Sequence, residues 1–469
     1  MKYFKIILIT ILLILTAGCS AQNVEEVNVD KPELKYTILK GKWTVTKCIF
    51  TDESYVDNFK FKDLIGKEVG FSKDYAVVLN QYVKNPKYKY RRLNAKEHLF
   101  RQYNIENSKV GIGEETVDVI EVYNNDEFFM EALKLSKDEA LIYFRGFFLQ
   151  INRIDEEITD DEIEELIDEA KDFETENIYS DNTNDNGMLL GLRSKSSGSI
   201  EEYGYKTLFI KLPAEGEPEI IEKNDIIVPV RSDFAKVTVE REYEDTIYDE
   251  IKLEPYRETS TGVEEILNNQ NYLKKIDYVS ADYISLVYTN LKTNVGFRRL
   301  KLLDNLDSPL SLRLGEIIPN GDKIFHDQAL PILQKSQMSS GDTSNIGIYR
   351  GEGYWKLKGR ISDQKSLSFE DFEIKAILPK EFAKLNSLSM PYHAIKVELP
   401  NIRDAFTSFN GKYLITLEGD NLKIYSINYG KISFELLKEY PLLPETEVVM
   451  SEWSIGSYAG TWERIFKEE

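Results

Sequence analysis

The sequence predicts a mainly β chain in two bodies, a small antiparallel barrel and a larger array of repeated hairpins, joined by an acidic helix. Three observations carry this. Short apolar and polar alternations broken by Asn, Asp and Gly run from Leu34 to Ile154 and resume at Tyr205. A helical stripe set among acidic residues lies between them, at 155–176. The length, 469 residues, exceeds a single core, and 42% hydrophobic residues are too many for a disordered chain.

The first residues speak to location. Lys2 and Lys5 precede the apolar run Ile6 to Leu15, which is too short for a permanent membrane span. Thr16-Ala17-Gly18 then leads to Cys19 and Ser20. This string resembles the lipobox of bacterial lipoproteins, here of a clostridial-type composition rich in Ile, Lys, Asn and Glu, and departs from it at Thr16, where Leu is usual. The resemblance implies a signal peptide at 1–18, a diacylated Cys19, and a body held on the extracytoplasmic face of the cell membrane. Residues 19–34, with Gln22, Asn23, Glu25, Glu26, Asp30 and Pro32, read as a flexible tether.

The small body spans 35–154. Strands are expected at 43–50, 75–82, 88–93, 117–123, 128–135, 140–144 and 147–154, with a short helix in 59–69. Asn124-Asn125-Asp126, Ser136-Lys137-Asp138 and Gly146 supply turns. Gly41-Lys42-Trp43 at the start and Arg153 in the last strand resemble the lipocalin-like pattern, in which an arginine lies across the tryptophan at the barrel base. Such a contact gains cation–π energy. The alternative is that Trp43 is a core aromatic of an unrelated sheet.

Segment 155–200 is expected as acidic helix and linker. Ile158, Ile163, Leu166, Ile167, Ala170 and Phe173 form one stripe, and the charges around it read as a solvated face. Asn177 to Ile200 is rich in loop residues. Asp181 to Gly187 fails the calcium-loop register, because Asn186 stands where Gly is needed.

The large body, 201–469, repeats loosely. Strand, turn, strand units begin near 205, 280 and 410, and Asn410-Gly411 and Gly419-Asp420 bracket a strand. The spacing resembles a β-propeller-like domain of five to seven blades, with a two-sheet sandwich as rival. Trp355 and Trp462 follow Gly347–Gly351 and Gly456–Gly460, both Gly-x-Tyr-x-Gly and read as related strand positions. Tyr354, Trp355, Trp453, Tyr458 and Trp462 are the candidate binding aromatics, with core packing as their other reading.

Chemistry is sparse. The net charge of −21 disfavours nucleic acid. Two cysteines exclude a disulfide scaffold, and Cys48 reads as a small half-buried residue. His98, His326 and His393 lack metal-site spacing, and neither a nucleophile elbow nor a phosphate or dinucleotide loop occurs. No cofactor or metal is expected. The expectation is a membrane-anchored lipoprotein that binds a small ligand or an envelope protein without catalysis. A cell-envelope carbohydrate hydrolase using acidic residues of the large body is the alternative, and an envelope scaffold meeting cationic proteins is a third.

Overall fold

Nine strands open the fold: β1 (Gly41–Phe50), β2 (Glu68–Phe71), β3 (Tyr75–Val78), β4 (Gln81–Lys84), β5 (Lys87–Asn94), β6 (Thr116–Asn124), β7 (Glu127–Lys134), β8 (Glu139–Phe144) and β9 (Phe147–Asp155). The computed structural model describes residues 38–52, 60–172, 185–196, 202–231, 233–243, 247–256, 263–264, 272–293, 295–336, 341–363, 368–428 and 430–468. The expected signal peptide and tether, with Cys19, and most of 177–185 lie outside the described residues.

The nine strands form one antiparallel sheet in the order β4-β3-β2-β1-β9-β8-β7-β6-β5. First and last strands pair, Lys42 opposite Asp155 through Phe50 opposite Phe147. The edges β4 and β5 do not pair, so the expected barrel is an unclosed meander. Between them Asn85 takes φ 52° and Pro86 brings no N–H, which turns the chain out of a hairpin. The segment read as one strand over 75–82 is a tight β3–β4 hairpin, with Leu79 at φ 51°.

Both faces of this sheet are covered, which its alternating pattern did not announce. Trp43, Val45, Phe71, Ile120, Ala132, Ile142 and Leu149 bury one face. Val119, Leu133, Leu141 and Phe148 point the other way, under helix α1 (Ala95–Tyr103). Asn94 starts α1 by accepting the Glu97 N–H at 2.9 Å. The acidic helix α2 (Asp160–Asp172) packs Ile163, Leu166, Ile167 and Ala170 against Val77 of β3, while its acids face solvent. It lies on the first sheet. Thr159 and Glu162 close its N-terminus as a reciprocal box.

The remaining strands make five antiparallel sheets. The first holds β10 (Asn186–Lys195), β11 (Tyr203–Leu212) and β12 (Glu219–Asn224). The second holds β13 (Ile226–Val230), β14 (Asp233–Tyr243), β15 (Ile247–Pro255) and β16 (Val263–Glu264). The third holds β17 (Tyr272–Val279), β18 (Tyr283–Asn290) and β19 (Gly296–Leu302). After helices α3 (Leu314–Ile317) and α4 (Gly321–Ser336), the fourth holds β20 (Ile346–Gly351), β21 (Tyr354–Asp363) and β22 (Ser368–Ile374). After α5 (Tyr392–Glu398), the fifth holds β23 (Ile402–Thr407), β24 (Tyr413–Glu418), β25 (Asn421–Asn428) and β26 (Lys431–Pro441). The last strand, β27 (Glu447–Ile455), returns to pair with β10, and α6 (Ser457–Lys467) ends the chain's described part.

Two sequence expectations are corrected here. The stretch read as loop over 177–200 contains β10, whose Met188, Leu190 and Leu192 enter one core while Leu189 enters the other. A strand buried on both faces shows an apolar run instead of alternation. Gly456–Gly460 is the start of α6 and does not match the strand position of Gly347–Gly351. Gly456, at φ 60°, breaks the strand, and Ala459, Trp462 and Phe466 then recur at helical spacing.

The described residues belong to one contact unit. Phe409 packs into the first sheet's core. The Tyr143 hydroxyl donates to Leu388 O at 2.5 Å, and the Tyr354 hydroxyl donates to Gln102 O at 2.7 Å.

Candidate anion-binding site

The five aromatics singled out from the sequence do not share a surface. Tyr354 and Trp355 are buried neighbours on β21 that face different cores. Trp355 donates its indole N–H to Ser451 Oγ at 2.8 Å and meets Tyr278 edge-on at 4.9 Å. Trp453 packs beside that same core. Trp462 lies edge-on to Phe234 at 5.7 Å, and Tyr458 is exposed on α6. Cys48 is half-buried, and burial pushes its thiol up to about 11, which makes it a poor nucleophile.

A different set of residues converges. A pocket of about 190 Å³ is lined from six separate strands by Arg193, Lys275, Arg298, Arg350, Lys358 and Arg403. The carboxylates lining it are Asp277, Asp404 and Glu447, half as many as the cations. In a chain whose net charge is −21, this is a local reversal of sign.

Its walls are built by arginines that hold one another's counter-ions. Asp277 accepts from Arg193 Nη1 at 2.7 Å and from Arg298 Nη1 at 2.6 Å. Burial works to raise the Asp277 pKa, but Lys275, Arg193 and Arg298 outweigh it and hold the carboxyl below the usual range. Asp371 is shared by Arg298 Nη2 and Arg360 Nε, both at 2.6 Å. Against the pull of burial, these two arginines hold it down at about 2. Arg350 donates Nε to Asp404 Oδ2 at 2.8 Å and lies 3.9 Å over the Phe406 ring. Asp404 also accepts the Gly353 N–H at 2.9 Å, so the β20–β21 turn is fixed by the same carboxylate.

Two cations are held without a carboxylate. Arg403 donates to the Thr446 and Gly419 carbonyls at 3.0 and 2.8 Å. Lys358 sits 3.9 Å over the Tyr349 ring. Burial lowers the Lys358 pKa, and Arg298 adds to it; burial likewise lowers Lys275. An ammonium whose charge is disfavoured by its surroundings gains the most from an incoming anion.

A larger and more apolar cleft, about 330 Å³, lies between β7 and β8 of the first sheet, the 389–391 segment and β26. Phe128, Met130, Tyr143, Met390 and Ile432 line it, with Glu127, Lys431 and Glu398 among its polar groups.

Two of the three histidines, too far apart in sequence to suggest partners, also meet. His98 on α1 and His393 on α5 both face Glu131 of β7, at 2.8 and 3.3 Å. Comparison with known protein families finds no family model that matches the chain, and comparison with curated proteins finds no match.

Proposed function

We propose that this chain is a membrane-anchored extracytoplasmic lipoprotein that binds a small anion, or the anionic group of a larger ligand, and carries out no catalysis. The observation that carries the binding role is the convergence of six cations on a pocket lined by three carboxylates in an acidic chain. At about 190 Å³ the pocket is smaller than the roughly 300–1,000 Å³ of drug-sized ligand sites, which suits a phosphate, sulfate or carboxylate group. The anchor rests on the lipobox-like string ending in Cys19. Two or more acyl chains on Cys19 would hold the chain firmly on a membrane; among the described residues no helix is long and apolar enough to cross one.

The architecture we infer is a small barrel left open between β4 and β5, followed by a five-bladed propeller. Five successive meanders support the second, as does the return of β27 to complete the first of them, which is how a ring of blades is tied shut. The pocket then lies where four of the five meanders meet, with the third and fourth contributing cations from two strands each and the first and fifth from one each. Binding is favoured over the hydrolase because Arg193 and Arg298 hold Asp277 ionised and Arg350 with the Gly353 N–H occupies both oxygens of Asp404, so the pocket presents no free carboxyl pair.

Calorimetric titration of the full chain with inorganic phosphate, citrate and glucose 6-phosphate tests the ligand class. Lys358→Met and Arg403→Leu should each weaken the best of these at least tenfold, and raising the salt should weaken it in the unaltered chain. Absence of heat with all three, or equal affinity in both variants, would overturn the reading. For the anchor, Cys19→Ala should move the protein from the membrane fraction to the soluble one; continued sedimentation with membranes would sink it.

A further inference from the structure

The joint between the first sheet and α5 contains a carboxylate in an unusual setting. Glu131, 1% exposed, uses one oxygen fully: Oε1 accepts from His98 Nε2 at 2.8 Å and from the Tyr103 hydroxyl. Its other oxygen, Oε2, is buried without a hydrogen-bond partner. The atom facing it, 3.3 Å away, is His393 Nε2, and that nitrogen is also buried and without a hydrogen-bond partner.

The tautomer explains the mismatch. Gln102 Oε1 accepts the His393 backbone N–H at 3.3 Å and lies 2.9 Å from Nδ1. A carbonyl oxygen only accepts, so Nδ1 carries the proton and the neutral ring has its lone pair on Nε2. Two lone pairs then face each other across 3.3 Å inside the protein. A third donor atom approaches from β6, where Glu121 Oε1 lies 3.9 Å from the same nitrogen. The ligand atoms of Glu121, Glu131 and His393 all lie within 4.8 Å of one another.

We propose that Glu121, Glu131 and His393 hold one divalent first-row cation, Zn²⁺ foremost, which pins α5 to the first sheet. One imidazole and two carboxylates suit that ion, whose bonds of about 2.0–2.2 Å place neighbouring ligand atoms a little over 3 Å apart. The surroundings supply what such a site needs outside the ligands. Gln102 fixes the His393 tautomer, His98 and Tyr103 occupy the far oxygen of Glu131, and the Tyr123 hydroxyl donates to Glu121 Oε2 at 2.9 Å. The fixed cation of the cluster, Arg91, is already paired with Glu121 and leaves the Glu131 charge to be met by something else.

The test uses the full chain in detergent. After chelation and dialysis, titration with Zn²⁺ and with Mn²⁺ should give one site per chain, and Zn²⁺ should raise the thermal midpoint. His393→Ala should lower the affinity at least 100-fold, while alanine at His326, exposed on α4, should leave it unchanged. Elemental analysis of the unaltered protein after Zn²⁺ loading and gel filtration needs no variant to fold. Less than a tenth of an equivalent retained there, or equal affinity in His393→Ala, would overturn the site and leave a proton-bridged ion pair in its place.

Discussion

The Arg153 guanidinium lies 4.2 Å over the ring of Trp43, which is wholly buried, and so joins the last strand of the nine-stranded sheet to the first. The same side chain reaches the Lys137 carbonyl at 3.0 Å and Asp138 at 3.2 Å, while the Trp43 indole N–H donates to Leu39 O at 2.7 Å. The guanidinium also donates to the Lys40 and Ile38 carbonyls, so it ties the strand end to the segment that leads into β1. Arg153→Lys keeps the charge and loses the plane, and should cost about 1 kcal/mol. Trp43→Ala opens a cavity and should cost about 3–5 kcal/mol. Urea unfolding midpoints of the two variants check the order; no loss in Arg153→Lys would mean that the stacked plane contributes nothing of its own.

Gly70 of β2 is required by the docking of α2. A Cβ there would lie 2.7 Å from Ile158 Cδ1 and 2.8 Å from Leu166 Cδ1, both closer than side chains pack. Gly70→Ala should therefore destabilise by about 1–3 kcal/mol through overpacking, although alanine is ordinarily the better strand residue. Shortening the neighbour should relieve it: Ile158→Ala combined with Gly70→Ala should cost less than the two separate losses added. Simple additivity in that cycle would show that α2 does not sit against this strand.

Much of the fold was readable in the sequence, and the failures have physical causes. β1 and β5 to β9 follow alternation and turn residues, and Asn410-Gly411 and Gly419-Asp420 do bracket β24. What period-2 reasoning missed is burial on both faces, as in β10, and turns without Gly. The segment 278–288 reads as one strand but turns at Ser280 to Asp282 between β17 and β18, with Ser280 accepting the Tyr283 N–H. The pocket was invisible for another reason. Its cations lie between positions 193 and 403, and each is an ordinary polar residue on its own strand. The signal available was their shared placement on successive hairpins of an acidic chain, which only a register for those hairpins could expose.

Anion affinity should fall as the solution becomes alkaline, and sooner than ordinary lysines would dictate. Burial lowers the pKa of Lys358 and of Lys275 below 10.5, so each loses its proton at a pH where a surface lysine still holds it. Binding needs the charged form, so the dissociation constant should be level near neutrality and climb through the alkaline range. Lys358→Arg, which stays charged, should flatten the climb. Titrations with sulfate, whose charge is the same at pH 7 and pH 9.5, measure it; an unchanged slope in Lys358→Arg would assign the pH dependence elsewhere.

Glu452 of β27 should make the protein less stable as pH rises through neutrality. Burial raises its pKa from 4.5 to about 7, against the opposing influence of Lys384 and the Ala281 N–H and with a further push from Asp282. The folded chain therefore holds a proton that the unfolded chain has already released. Between the unfolded value near 4.5 and the folded value near 7, the native state binds more protons, so each step up in pH favours unfolding. Below that window both states are protonated and the residue costs nothing. Above it the full penalty applies, on the order of 3 kcal/mol at about 1.36 kcal/mol per unit. Glu452→Gln keeps the shape and removes the ionisation, so its unfolding free energy should match the parent's near pH 4.5 and exceed it at pH 8. Parallel stability curves for the two proteins across that range would mean that the Glu452 carboxyl is solvated and ionises normally.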